Sequence, residues 1–260
     1  MEENVLLLVE ENGVVSITVN RPKSLNALNI DVLQSFIIEL EKIASREDVR
    51  VVLITGAGEK AFVAGADIHS MASFGKRAIS EYIELGQRVM RKLETLSVPV
   101  VAKVNGFALG GGMELMLACD VVFISENAKL GQPEVNLGII PGFGGTQRII
   151  QRAGVGTARR LTFGGEIITA NEAFTLGLVD KVVVAEELDA CVNEFLTTIT
   201  MKAPLAVKKA KEVIRLATEN TLLSGLRHEV EAFNELFQTE DCKEGMAAFL
   251  EKRPANFKGK

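Results

Sequence analysis

An α/β core followed by an all-helical C-terminal region is the fold class that the sequence predicts, and three observations predict it. Continuous apolar runs of strand length alternate with amphipathic helical runs through the first half of the chain. Helical patterns then follow one another almost without interruption after Gly144. The chain has 260 residues, 47% of them hydrophobic, which is enough for one large core with an appendage.

The elements justify this in order. "VLLLVEE" (5–11) and "GVVSITVNRP" (13–22) are β-rich runs meeting at Asn12-Gly13, a dipeptide that favours the positive φ of a tight hairpin. Residues 30–45 place Val32, Phe36, Leu40 and Ile43 at helical spacing. "VRVVLITG" (49–56), "VPVVAKVNG" (98–106) and "DVVFIS" (120–125) are buried strands. Residues 79–96 are a helix, and a further helix begins at Gly110. Parallel pairing with crossover helices is expected from this alternation. Beyond Gly144 come "GTQRIIQRAG", "GTARRLTFGG" and "TANEAFTLG", the last with Thr169 as N-cap and Gly177 past its end. "VDKVVV" (179–184) is the one strand among them. The expected division is a core over 1–190 and a helical region over 191–260. The broad apolar faces of the later helices exceed what so small a region can bury alone, so self-association is expected.

Composition excludes several classes. With 29 Lys and Arg against 34 Asp and Glu the net charge is −5, and no basic block exists to hold nucleic acid. No apolar run reaches the ~18 residues of a membrane span, and "MEENVLLLVEENG" lacks the basic start of a targeting signal, so a cytoplasmic location is expected. Cys119, Cys191 and Cys242 stand far apart, without disulfide or zinc spacing. Two histidines, His69 and His228, nearly exclude a His-based triad or a multi-His metal site. His228 reads as helix surface and Tyr82 as packing. "ITGAGEKA" (54–61) imitates a dinucleotide fingerprint, but no long helix follows it, and a tight turn is the better reading.

Chemistry concentrates in two carboxylates. Between Val104 and Gln147 the charged residues are Glu114, Asp120, Glu126, Lys129 and Glu134. Asp120 suits a cap of the turn into "VVFIS", and Glu126 and Lys129 sit in a polar stretch. Glu114 in "GGGMELML" and Glu134 in "GQPEVNLGIIPG" remain as acids in apolar settings with no cation near in sequence. Burial without a partner raises a carboxyl's pKa, and two such acids facing one cleft suit proton transfer near neutral pH. Gly110 to Gly112 open a helix whose first N–H groups lack intrahelical partners, and Gly111 lies about one turn before Glu114 on the same face. A second amide from Ala64-Gly65-Ala66 would complete a pair of donors for one oxygen. Taken singly, a Gly-rich helix start is ordinarily close packing, and a Glu in "QPEV" is ordinarily surface.

Five segments carry a resemblance: "NRPKSLNALN" (20–29), "AFVAGADI" (61–68), "VNGFALGGGMEL" (104–115), "GQPEVNLGIIPGFGGTQR" (131–148) and "AFLEKRPANFK" (248–258). In order and spacing they resemble the enoyl-CoA hydratase (crotonase) family over essentially the whole chain. The resemblance implies a ββα spiral core, C-terminal helices that make trimers or dimers of trimers, and acyl-CoA thioester substrates, with no cofactor beyond the coenzyme A of the substrate and no metal. It implies that the amides of Ala66 and Gly111 hold the thioester oxygen. Glu114 activates water for attack at Cβ, Glu134 delivers the proton at Cα, and Gly142 lends the water an amide. Lys23, Ser24, Leu25, Ala64, Asp67, Ile68, His69, Phe249 and Lys252 would line the coenzyme A site, the last two from a neighbouring subunit. His69 departs from the Lys often found there. Both acids together favour a hydratase, or 3-hydroxyacyl-CoA dehydratase, over an enoyl-CoA isomerase of the same family. Net charge disfavours an RNA-binding relative. Met113 and Phe143 point to a short acyl chain such as crotonyl.

Overall fold

The computed structural model describes residues 4–260. β1 (Leu6–Glu11) and β2 (Val14–Val19) form an antiparallel hairpin, with Asn12 at φ 50° and Gly13 at φ 80° making the expected turn. α1 (Ile30–Ala44) follows, capped by the Asn29 side chain on the Val32 N–H. Its buried face carries Val32, Leu33, Phe36, Ile37, Leu40 and Ile43, the helical stripe read from sequence.

A repeating unit then builds the core. β3 (Val51–Gly56) leads into β4 (Ala61–Val63), then to α2 (Ile68–Met71) and α3 (Lys76–Thr95). β5 (Val100–Val104) leads into β6 (Phe107–Leu109) and α4 (Gly111–Leu117). β7 (Val121–Ser125) leads into β8 (Lys129–Gly131), a short 3₁₀ turn over Pro133–Leu137, and α5 (Gly145–Gly164). The first strand of each unit enters a six-stranded sheet of order β1-β2-β3-β5-β7-β10, parallel except for the β1–β2 hairpin. The second enters a four-stranded sheet of order β4-β6-β8-β9. β9 (Ile167–Thr169) closes that small sheet antiparallel to β8, and after α6 (Ala170–Thr175) the chain returns to the large sheet as β10 (Lys181–Val183). This is the ββα spiral.

Four helices complete the chain: α7 (Leu188–Thr200), α8 (Pro204–Ala217), α9 (Leu222–Phe237) and α10 (Glu240–Glu251). α7 packs Leu188, Val192 and Leu196 against Val51, Leu53, Val101 and Phe123 on one face of the large sheet. The strands are therefore covered on both faces, which is why they read as continuous apolar runs. α8 is fastened to the core by Lys211, whose buried ammonium donates to the Leu93 and Val98 carbonyls and pairs with Asp120 at 2.6 Å.

The two helices expected around "GTQRIIQRAG" and "GTARRLTFGG" are present within α5, separated at Gly154, whose φ of 78° and ψ of 167° are not helical. Two details differ from the sequence reading. Asp120 does not cap its own turn but accepts the Val100 N–H at 2.7 Å, joining neighbouring strands. The small sheet has no counterpart in the expected elements, because strands of three residues are too short to show a period.

Candidate active site

The small sheet is what gathers the site. β6 runs directly into Gly110 and α4, while β4 ends three residues before Ala66. Gly112 presses α4 against β4 so closely that a Cβ there would overlap the Val63 carbonyl. The start of the helix and the loop after β4 therefore lie side by side.

Two main-chain donors face the resulting cavity. Leu28 forms a parallel bridge with Ala66. Its N–H donates to Gly65 O and its C=O accepts the Asp67 N–H, both at 2.9 Å. In such a bridge one residue bonds the neighbours of its partner, so the Ala66 N–H points away and takes no protein acceptor. Gly111, the first residue of α4, likewise has an N–H without an acceptor, as a helix N-terminus requires. Each donor follows a glycine in the positive-φ region, Gly65 at 108° and Gly110 at 49°, a conformation that L side chains rarely adopt. A Cβ on Gly111 would lie 3.4 Å from the Ala66 nitrogen, so the two amides are neighbours.

Glu114, one turn into α4, is 1% exposed. Its Oε1 accepts the N–H groups of Phe143 at 2.8 Å and Gly145 at 2.6 Å, while Oε2 takes no protein donor. Among the described residues no cation pairs with it. Burial pushes its pKa up to about 7; the Gly145 N–H opposes the rise and the nearby Glu134 charge adds to it. Glu134 sits in the 3₁₀ turn Pro133–Leu137, its carboxylate against Gly110, where a Cβ would meet Oε1 at 2.7 Å. Burial raises its pKa as well. With the Gln132 amide nitrogen turned toward it, both Glu134 oxygens accept at 3.2 Å.

Both acids, both donor residues and Gly142 line one cavity of about 210 Å³. Ile68, Met71, Ile83, Leu137, Ile140 and Phe143 supply its apolar wall. A carboxyl pair, Glu114 buried and Glu134 half-buried, beside two free N–H groups on an otherwise apolar wall can move protons on a substrate whose oxygen gains negative charge.

The remaining expected residues fall into two groups. Lys23 and Ser24 lie in a short 3₁₀ turn, Leu25 follows at φ 50°, and the Leu25 carbonyl accepts the Ala64 N–H at 3.0 Å. That bond joins the two segments expected to meet coenzyme A at the cavity mouth, where Ala64 and Ile68 line the wall and His69 is exposed. The Asp67 carboxylate is engaged within the fold, capping α2 through the Ser70 N–H and pairing with Arg21 at 2.9 Å. Phe249 and Lys252 are exposed at the end of α10 and do not line this cavity. Met113 is fully buried beneath it. Gln132, fully buried beside Glu134, escaped the sequence reading; its position two residues before an acid in an apolar segment is the signal that marks it. Among the described residues no helix is long and apolar enough to cross a membrane.

The sequence pattern of the enoyl-CoA hydratase/isomerase family matches residues 9–260. The chain is 47% identical over 253 residues to the short-chain-enoyl-CoA hydratase of Clostridium acetobutylicum, covering 97% of each. It is 46% identical over 255 residues to the crotonyl-CoA hydratase of Syntrophomonas wolfei, covering 98% of each. Its fold superposes on the crystal structure of an enoyl-CoA hydratase from Bacillus anthracis with a TM-score of 0.96 at 39% identity, over 99% of this chain and 100% of that one. Fold and sequence agree, and the chain belongs to the enoyl-CoA hydratase/isomerase family.

Proposed function

We propose that this protein is a hydro-lyase that adds water reversibly to short-chain 2-enoyl-CoA thioesters, giving 3-hydroxyacyl-CoA. The observation that carries the reading is the single cavity holding Glu114, Glu134 and the free amides of Ala66 and Gly111. The names of the Clostridium and Syntrophomonas relatives support the same reaction and a short acyl chain.

In this reading the thioester oxygen accepts the Ala66 and Gly111 N–H groups, and charge displaced onto it during addition is stabilised there. Ionised Glu114 removes a proton from water through Oε2 as the water oxygen bonds to Cβ. Neutral Glu134 gives its proton to Cα as the enolate collapses, so the pair exchanges one proton and the product gains H and OH. Burial raises both carboxyls, and two acids this close favour sharing one proton, so that one is neutral while the other is ionised. Gly142, on the same wall, offers its amide to the water. The 3'-phosphate nucleotide end of coenzyme A would lie outside the cavity along Lys23 to Leu25 and Asp67 to His69.

Self-association belongs to the same proposal. Leu222, Leu226, Val230, Phe233 and Phe237 form an exposed stripe at three- and four-residue spacing along α9, and Phe249 and Leu250 are exposed on α10. An apolar stripe of that length needs a cover, and further copies of this chain, with trimeric symmetry, would supply it and bring Phe249 and Lys252 to a neighbour's substrate.

The test follows the absorbance of crotonyl-CoA between ~260 and 280 nm, where loss of conjugation reports hydration. Glu114→Gln and Glu134→Gln are each expected to slow turnover roughly 10²- to 10⁴-fold, the range for positioned acid–base groups. Near-native rates in both would overturn the reading.

A further inference from the structure

Tyr82 is the only tyrosine of the chain, which has no tryptophan. It lies on α3, is 2% exposed, and its hydroxyl donates to the Leu28 carbonyl at 2.6 Å. A buried tyrosine ordinarily finds such a partner for its hydroxyl. What distinguishes this one is the acceptor. Leu28 is the residue whose two main-chain bonds, to Gly65 and Asp67, leave the Ala66 N–H facing the cavity. The Leu28 carbonyl thus holds two donors, Tyr82 from α3 and Asp67 from the donor loop.

The ring of Tyr82 is fixed from the opposite side. It meets the Phe143 ring edge-on at 5.4 Å and Phe74 at 5.6 Å. Phe143 is in turn packed against Gly86, one turn along α3, where any Cβ would overlap its ring. The Phe143 N–H is one of the two donors on Glu114. One side chain therefore touches the strap that carries the oxyanion donor and the residue that clamps the base.

We infer that Tyr82 is a positioning residue for the hydration step: its hydroxyl fixes the Leu28 carbonyl, and through the Leu28–Ala66 bridge it fixes the direction of the Ala66 N–H toward the thioester oxygen. The inference rests on the proposed hydratase reading. A donor displaced by a fraction of an ångström weakens most where charge develops, so the effect belongs to the transition state rather than to substrate binding. Burial also pushes the phenol's pKa up, so the hydroxyl stays a donor throughout the working pH range.

The test uses the full-length protein and Tyr82→Phe, which keeps the ring on Phe143 and removes only the hydroxyl. With crotonyl-CoA, kcat is expected to fall about three- to tenfold, the size of one hydrogen bond, with KM within about twofold of native. The second readout is a 2,4-dienoyl-CoA thioester, whose absorbance moves to longer wavelength when donors polarise its carbonyl. That shift is expected to shrink in the variant, while the acid limb of the kcat/KM–pH profile stays in place because the Phe143 contact is kept. A native kcat with a native shift overturns the inference. So does a lowered kcat with an undiminished shift, since a loss of general stability lowers activity without altering carbonyl polarisation. If the wild-type protein neither hydrates crotonyl-CoA nor shifts the dienoyl band, the hydratase reading fails and this inference fails with it; wild-type turnover beside an unaltered Tyr82→Phe removes this inference alone.

Discussion

Glu114 accepts the main-chain N–H of Gly145 at 2.6 Å, a bond that spans 31 positions of sequence and ties α4 to the start of α5. The acid is thus held by backbone donors, and no described cation forms an ion pair with it. Backbone donors are neutral and do not cancel its charge, so burial still raises its pKa to about 7.

Activity should therefore fall on the acid side. If ionised Glu114 is the base for hydration, kcat/KM drops as the pH falls through about 7. Initial rates between pH 5 and 9 check this, and a rate that holds level down to pH 5 would place the base elsewhere.

The same carboxyl should weaken the fold at high pH. Its folded pKa of about 7 lies above the 4.5 of the unfolded chain, so the stability it contributes is complete below 4.5 and is lost as the pH climbs through 7. At pH 8 the loss is about 3 kcal/mol, at 1.36 kcal/mol per unit. Glu114→Gln is expected to melt above the wild type at pH 8, with the difference closing toward pH 5. Melting curves at the two pH values decide it.

Gly110→Ala should disable the site more than it destabilises the fold. It forces a side chain onto φ 49° and into the Glu134 carboxylate. A turnover loss of about 10²-fold or more is expected, with about 1–3 kcal/mol of stability. Gly112→Ala should do the reverse, because it drives α4 off the Val63 carbonyl, and poor folding is the expected outcome. Expression, melting temperature and rate of the two variants separate these effects.

Phe143 lines both the catalytic cavity and a larger groove of about 890 Å³ under α8. Phe143→Ala is expected to lower stability by about 3–5 kcal/mol and to join the two spaces. The ratio of kcat/KM for an eight-carbon enoyl-CoA to that for crotonyl-CoA should rise. A ratio that stays put would place the end of the acyl chain elsewhere.

The stripe on α9 makes a prediction about size. The protein should elute well above its 28.1 kDa monomer mass, and Phe233→Glu should lower the assembled fraction. Light scattering after size exclusion measures both.

Legibility in the sequence followed length and burial. β3, β5 and β7 were readable because both faces are covered, and α1 because Val32, Phe36, Leu40 and Ile43 share one buried face. The Thr169 cap and the positive φ of Gly177 match their residue types. Glu114 and Glu134 stood out as acids without partners in apolar runs. The small sheet stayed hidden, since three-residue strands carry no period, and with it went the reason Ala66 and Gly111 meet. Gln132 and the bond from Tyr82 to Leu28 were hidden too, because both depend on contacts between segments far apart in the chain.

The contact between Gly112 and Val63 has a consequence for how this enzyme can vary. Because α4 rests on β4 through bare main chain, the gap between the free Ala66 and Gly111 amides is gauged by polypeptide thickness, and no side chain enters that measurement. Residues of the apolar wall can be exchanged for larger or smaller ones while the gauge stays set, so in the proposed hydratase selectivity for the acyl tail can drift without retuning the grip on the thioester.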